Sequence, residues 1–301
     1  MSRTAADILR ERMRGRVHAD EPMELHTSFR IGGPADLFLE PVDLDDLTCA
    51  LEVLREHGSP VLIIGAGTNL LVKDGGIRGA VVCLREMKRV ERRGGSTVYA
   101  DSGALLSGMV MKSVSWGLSG LEFAVGIPGS VGGAVIMNAG AHGSSISHVA
   151  RRVEMIHPDG SVHVVDAGDL SFSYRRCDVG EGRIVTGVEF ALTQKEPDVI
   201  RERIDMHLAW RRENQPLKYP SAGSVFKNPP DVSAGKLIDD LGLKGMNVGG
   251  AQVSHTHANF IVNTGGALAR DVLELIDRIK EQVKDRHGID LELEIRIVGD
   301  E

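Results

Sequence analysis

Pro60-Val61-Leu62-Ile63-Ile64-Gly65-Ala66-Gly67-Thr68-Asn69-Leu70 decides the reading of the fold. Its first half is a short apolar run rich in β-branched residues, as a buried strand is, and it ends in a tight Gly-x-Gly turn. Just before it, Leu44, Leu47, Leu51 and Leu54 recur at three- and four-residue spacing between Asp43 and His57. That spacing predicts an amphipathic helix with Asp43 as N-cap and Gly58 beyond its end. Just after it, Val81-Val82-Cys83-Leu84 predicts another strand, so the first part of the chain layers helices on strands. A Gly-x-Gly turn lets side-chain-free backbone approach phosphate oxygens, and it equally serves any strand end that needs positive φ. It is not the dinucleotide-binding fingerprint, because Leu70 stands where a third Gly or Ala is required.

Outward from this stretch, the N-terminal Met1–Arg16 segment reads as an amphipathic helical start without the apolar core of an export signal. The polar Arg92-Arg93-Gly94-Gly95 is a turn and marks a boundary near residue 92. A strand from Val98, a helix over Ala104 to Trp116, a long glycine-rich loop and strands at Val153–Ile156, Val162–Asp166 and Ile184–Leu192 follow, a mixed α+β pattern. A polar linker, Thr193–Asp198, precedes a helix over Val199 to Glu213 with Ile200, Ile204 and Leu208 on one face. The third part holds a helix near Lys236–Leu241, strands at Ala251–Val253 and Phe260–Val262, a helix from Ala267 to Val283 and a last strand, Leu291–Val298. The expected division is therefore 1–92, 93–198 and 199–301.

Composition narrows the function. Lys and Arg number 35 against 42 Asp and Glu, a net charge of −7, which argues against a nucleic-acid partner. No apolar run approaches the roughly 18 residues of a membrane span. Cys49, Cys83 and Cys177 are scattered, with no zinc or disulfide spacing, which points to a reducing, cytoplasmic setting. Glycine contributes 36 of 301 residues while aromatic residues make up 4%, so backbone more than rings is available for binding.

The densest glycine stretch is Gly126-Ile127-Pro128-Gly129-Ser130-Val131-Gly132-Gly133-Ala134-Val135-Ile136-Met137-Asn138-Ala139-Gly140, which carries no charge. Ordering so much glycine is entropically costly, and a ligand that needs many close N–H donors explains it better than a linker does. With the Gly65–Leu70 turn it suggests one extended, phosphate-bearing cofactor. Other motifs leave their alternatives open. Ser224, in Gly223-Ser224-Val225-Phe226-Lys227-Asn228-Pro229, has no paired His or Gly-x-Ser-x-Gly frame for nucleophilic use, and by itself reads as a turn-capping serine. Glu292, Glu294 and Arg296 share one face of an alternating strand, reaching a site or solvent. Arg175, in Tyr174-Arg175-Arg176, is suited to forking onto a carboxylate or phosphate or to covering surface. His255 and His257 lack a third ligand nearby, so no metal site is expected.

Taken in order, these motifs, with Ala251-Gln252-Val253-Ser254, His257-Ala258-Asn259-Phe260-Ile261-Val262-Asn263 and Glu294-Ile295-Arg296-Ile297-Val298-Gly299, resemble the UDP-N-acetylenolpyruvoylglucosamine reductases from about Leu25 to Gly299. The resemblance implies an α+β flavoprotein: a two-part FAD-binding unit like that of the vanillyl-alcohol-oxidase-like (PCMH) proteins, followed by an α+β substrate-binding domain. It implies an oxidoreductase of peptidoglycan precursor synthesis. NADPH would reduce non-covalent FAD and leave, and UDP-N-acetylglucosamine enolpyruvate would then take the same site and be reduced to UDP-N-acetylmuramate. No metal, nucleic acid, membrane insertion or obligate protein partner is implied.

Residue by residue, the resemblance makes Ser224 the proton donor, with Lys227 or water expected to restore its proton, and puts Arg175 and Glu294 at the substrate carboxylate. Gly65, Ala66, Gly67, Thr68, Asn69, Leu70, Gly126, Pro128, Gly129, Ser130, Gly132, Gly133, Asn138 and Gly140 would hold FAD; Tyr174, Arg175, Lys227, Asn228, Gln252 and Asn259 would hold substrate. The chain looks like the shorter subclass, without an inserted loop carrying a substrate-capping tyrosine. It departs from the family pattern at His142, where Tyr is expected, and at Cys177, where Ser is commoner. The rival readings are another flavin oxidoreductase on the same fold, which would ignore the UDP-sugar, and a flavin-binding module without chemistry, against which intact Arg175, Ser224 and Glu294 count.

Overall fold

In the computed structural model, which describes residues 4–301, the helix read between Asp43 and His57 spans Leu44–Glu56. Asp43 caps it, accepting from the Asp46 N–H at 3.0 Å. Asp46 is itself buried, and its carboxylate accepts the N–H groups of Arg14, Gly15 and Val42. Three backbone donors offset the cost of removing that charge from water, and they tie the turn after the first helix, Ala5–Arg12, to the second. Residues 1–3 of the expected N-terminal helix lie outside the described residues.

Contacts divide the chain into two units that do not follow chain order. The first comprises Met1–Ala19, Leu37–Ala66 and Gly79–Trp210; the second comprises Asp20–Asp36, Gly67–Arg78 and Arg211–Glu301. The first unit contains most of a four-stranded sheet ordered Arg16–Pro22, Pro34–Glu40, Ile77–Cys83, Val61–Ile64. The last two strands are parallel, with Val61 opposite Ala80, as expected for strands that flank a helix-bearing layer. Leu9, Leu47, Val53 and Leu54 of the helices pack on Ala80 and Val82. Arg16–Pro22 and Pro34–Glu40 carry little strand signal; Arg16–Pro22 has no buried residue, so no alternation announces it.

The same unit contains a five-stranded antiparallel sheet ordered Val162–Asp166, Ala150–Ile156, Ile184–Ala191, Thr97–Asp101, Val90–Arg92. Its buried face, including Val98, Val153, Met155, Val188 and Phe190, packs against Leu106, Met109 and Val110 of the helix Leu106–Ser115 and against Val131 and Val135. Two expectations change here. The 126–140 stretch is not all loop, because Ser130 caps a short helix, Val131–Ile136. The linker 193–198 is partly ordered: Thr193 and Gln194 pair with Ser119 and Leu118, and the next helix already starts at Pro197, running to Asn214.

In the second unit the helix Ala269–His287 buries Val272, Leu275, Ile276, Ile279 and Val283, the i, i+3, i+4, i+7, i+11 stripe of an amphipathic helix. Asp74 accepts the first N–H groups of that helix, from Ala269 and Arg270. At its other end Gly288 adopts φ 69° and its N–H returns to Lys284 O, a left-handed cap. The stripe covers a small antiparallel sheet, Asn247–Val248, Ala251–Val253 and Ile261–Asn263, and shares a core with Phe29, Leu71 and Phe226. The last strand is shorter than its alternation predicts: Arg296–Val298 runs parallel to Leu70–Val72, while Leu293 makes an isolated antiparallel bridge to Phe226. Residues 291–295 leave the regular ladder because Glu294 N and Ile295 N both turn to one carbonyl, Val225 O.

Ile279 is fully buried at the centre of the stripe. Ile279→Ala is expected to cost about 2–5 kcal/mol, read as a lower urea midpoint with unchanged slope; a cost below about 1 kcal/mol would mean that the site collapses around the truncation or that the helix is not packed as described.

Candidate functional site

In the first unit the strand Val61–Ile64 delivers Gly65 against the other glycine-rich stretch. A Cβ at Gly65 would lie 1.9 Å from Ser130 Oγ, so no other residue permits this approach. Ser130 Oγ accepts the Gly133 N–H at 3.3 Å. The helix start is pinned further by Val131 N to Ala104 O and Gly132 N to Ser102 O, and Gly132 passes so near Ser102 that a Cβ there would lie 2.7 Å from the serine Cβ. From below, Cys83 donates to Gly65 O at 3.5 Å. Burial pushes this thiol up to about 11, so it stays a donor at neutral pH.

This arrangement fits a flavin. It is uncharged, built of close backbone and hydroxyls, and Ser102 Oγ beside Gly132 is buried with no hydrogen-bond partner among the described residues, as a polar atom awaiting a ligand would be. The early N–H groups of Val131, Gly132 and Gly133 are already satisfied within the protein.

Tyr174 and Arg175 form the turn of the hairpin Ser171–Ser173 and Arg176–Asp178, with Arg175 at φ 56°. The guanidinium Nη1 donates to Gly140 O at 2.8 Å, and its Cζ lies 5.2 Å from the Tyr174 ring centre. Asn138 binds both sides of this region: its Nδ2 donates to Ser173 O at 3.0 Å and its Oδ1 accepts from Ser147 N at 3.1 Å. Asn138 therefore braces the Arg175 hairpin against the glycine stretch, a role its place in the motif does not reveal.

In the second unit Ser224 follows Gly223, at φ 80°, and precedes a segment clamped by Asn259. Val225 N donates to Asn259 O, Phe226 N to Asn259 Oδ1 at 2.9 Å, and Asn259 Nδ2 to Phe226 O at 2.8 Å. Asn259 is buried with its amide directed to backbone, and its own N–H goes to His257 Nδ1 at 3.2 Å. Burial, helped by the nearby Lys244 ammonium, lowers the His257 pKa, which keeps the ring a neutral acceptor.

On the other side Glu294 N donates to Val225 O at 2.8 Å, Glu294 O accepts Asn69 Nδ2 at 3.0 Å, and Asn69 O accepts Arg296 N. Ser224 and Glu294 thus sit on adjoining segments with Asn69 behind them. Of the three charged residues expected on one face, Glu292 and Arg296 are exposed while Glu294 is half-buried, so packing selects Glu294. Lys227 N donates to Glu292 O and its Nζ pairs with Glu292 at 3.1 Å. Asn228 Oδ1 accepts Ala234 N at the start of the helix Ala234–Asp240, and Gln252 Nε2 donates to Gly245 O. Among the described residues no group of three or more His, Cys, Asp or Glu side chains could hold a metal ion.

Residues 35–166 match the family described as FAD binding domain, and residues 215–298 match UDP-N-acetylenolpyruvoylglucosamine reductase, C-terminal domain. The UDP-N-acetylenolpyruvoylglucosamine reductase of Geobacter metallireducens is 47% identical, covering 97% of this chain and 97% of its own. That of Geobacter sulfurreducens is 46% identical over the full length of both. The crystal structure of UDP-N-acetylenolpyruvylglucosamine reductase from Thermus caldophilus has a TM-score of 0.82 at 38% identity, covering 95% of this chain and 99% of that one. The expected class, an α+β FAD-binding unit followed by a reductase C-terminal domain, holds.

Gly65→Ala forces Ser130 out of place and is expected to weaken flavin retention by about tenfold or more, measured by flavin release on gel filtration. Retention equal to wild type would remove the Gly65–Ser130 contact from the binding site.

Proposed function

This chain belongs to the UDP-N-acetylenolpyruvoylglucosamine reductase family, and we propose that it reduces UDP-N-acetylglucosamine enolpyruvate to UDP-N-acetylmuramate in the cytoplasm, with NADPH as hydride donor, for peptidoglycan precursor synthesis. The observation that carries the reading is the seating of Ser224 beside Glu294 through the Glu294 N–H to Val225 O bond, in a chain this similar to the family throughout. Bound FAD supplies the two-electron hydride chemistry that amino-acid side chains lack. Gly65, Ala66, Gly67, Thr68, Asn69 and Leu70, with Gly126, Pro128, Gly129, Ser130, Gly132, Gly133, Asn138 and Gly140, are assigned to hold it, Asn138 as a brace. The functional division is 1–92 and 93–198 for the cofactor and 199–301 for the substrate.

Reducing the enolpyruvyl double bond places a proton on the carbon that bears the carboxylate, and Ser224 Oγ delivers it. A serine hydroxyl is a weak acid, so its oxygen must recover a proton at once; with Lys227 Nζ held by Glu292, water fills that role. Arg175 forks onto the substrate carboxylate and offsets the charge that builds on it. Its Nη1 donates to Gly140 O. Glu294 serves there either protonated or bridged through an Arg, because an ionised carboxylate facing that charge directly would oppose it. Tyr174, Asn228 and Gln252 contact the substrate, while Asn259 acts through the Val225–Phe226 segment it clamps. The negative net charge is no obstacle, since local donors define the site.

An anaerobic two-step spectrum tests the reading. NADPH should bleach the flavin bands of the holoenzyme, and UDP-N-acetylglucosamine enolpyruvate should restore them. Bleaching without recovery would point to another flavin oxidoreductase, and no flavin bands after FAD reconstitution would overturn the proposal. Ser224→Ala should bleach normally and recover at least about 10²-fold more slowly; equal slowing of both steps would remove its proton-donor role. Glu294→Gln should lose turnover on a similar scale, whereas near-normal turnover would demote Glu294 to a structural residue.

A further inference from the structure

His142 is not needed by any step above, yet it occupies a costly conformation. With Gly143 it forms the two-residue turn between Gly140–Ala141 and Ser144–Ser145, at φ 53° and 79° respectively. Two successive positive φ values make the kind of tight turn that fixes hairpin register, and Asn or Gly is usual at its first position. His142 is held there by its ring, which stacks on His207 at 3.9 Å between centroids and 17° between planes, with Trp210 edge-on at 5.3 Å and 85°. Both partners lie on the helix Pro197–Asn214, so the hairpin tip is fastened to a rigid element.

What the tip controls is the direction of one carbonyl. Ala141 pairs with Ser144 and Gly140 with Ser145, and the next bond, Ile146 N to Ala139 O, closes the ladder. Gly140 therefore falls at an alternate position of the antiparallel ladder, where the carbonyl points out of the hairpin. There it accepts Arg175 Nη1. A slip of one residue would turn that carbonyl away.

We propose that His142, stacked on His207 and Trp210, is a positioning residue that sets Arg175 for a carboxylate-bearing ligand by fixing the Gly140 carbonyl. The proposal rests on the assignment of Arg175 to the substrate carboxylate. His142→Gly is the informative variant, because glycine accepts the turn's φ while deleting the ring. Binding of UDP-N-acetylmuramate, which carries the carboxylate, and of UDP-N-acetylglucosamine, which lacks it, would be compared by calorimetry on the oxidised holoenzyme.

His142→Gly should lower affinity for UDP-N-acetylmuramate about tenfold while leaving that for UDP-N-acetylglucosamine unchanged. His142→Phe should restore it by returning an aromatic face to His207. In an Arg175→Ala background His142→Gly should have no further effect, since the two act as one unit. Equal loss for both ligands, or additive losses with Arg175→Ala, would overturn the positioning role. Wild-type protein showing no preference for the carboxylate-bearing ligand would overturn the assignment of Arg175, and the proposal with it.

Discussion

The approach of Gly65 to Ser130 Oγ is the constraint around which the first unit is arranged. Because a Cβ would collide at 1.9 Å, the end of the strand Val61–Ile64 and the start of the helix Val131–Ile136 can meet only through glycine. That contact puts the two uncharged segments together as one surface. From Ser130 the same stretch continues to Asn138 and Gly140, whose side-chain amide and carbonyl hold the Arg175 hairpin. One run of chain, from Ser130 to Gly140, therefore meets Gly65 at one end and holds the Arg175 hairpin at the other.

The second unit solves a related problem by different means. Ser224 stands next to a glycine at positive φ, a segment that would otherwise be mobile. It is immobilised by hydrogen bonds to a buried amide side chain, Asn259, and to the backbone of Glu294. Directional bonds in a dry interior hold a weakly acidic hydroxyl in place where a loop alone would not. The Lys227–Glu292 pair lies at the exposed rim of the same two segments, where an ion pair contributes little to stability.

Most of the elements are legible in the sequence because their burial follows helical or strand periodicity, as in Leu44–Glu56 and Ala269–His287. The exceptions have physical causes. Arg16–Pro22 has no buried face and so no alternation. The helix Val131–Ile136 is hidden by glycines and exists because Ser130, Ser102 and Ala104 satisfy its first N–H groups. The alternation of Leu291–Val298 is real in burial terms for Leu291 and Ile295, but shared acceptance by Val225 O breaks the ladder.

By itself the sequence determined the periodic elements, the two glycine-rich segments and, through motifs in register along nearly the whole chain, the family. It determined which residue types are present for the chemistry. The tertiary structure decided how they are held: Asn259 and Asn138 are committed to backbone groups, Lys227 to Glu292, and Glu294 alone of its face is drawn inward. It also decided that His142 meets His207 and Trp210. Periodicity is a property of neighbours in sequence, whereas hydrogen-bond partners and ring stacks come from residues distant in the chain, and only packing brings those within reach.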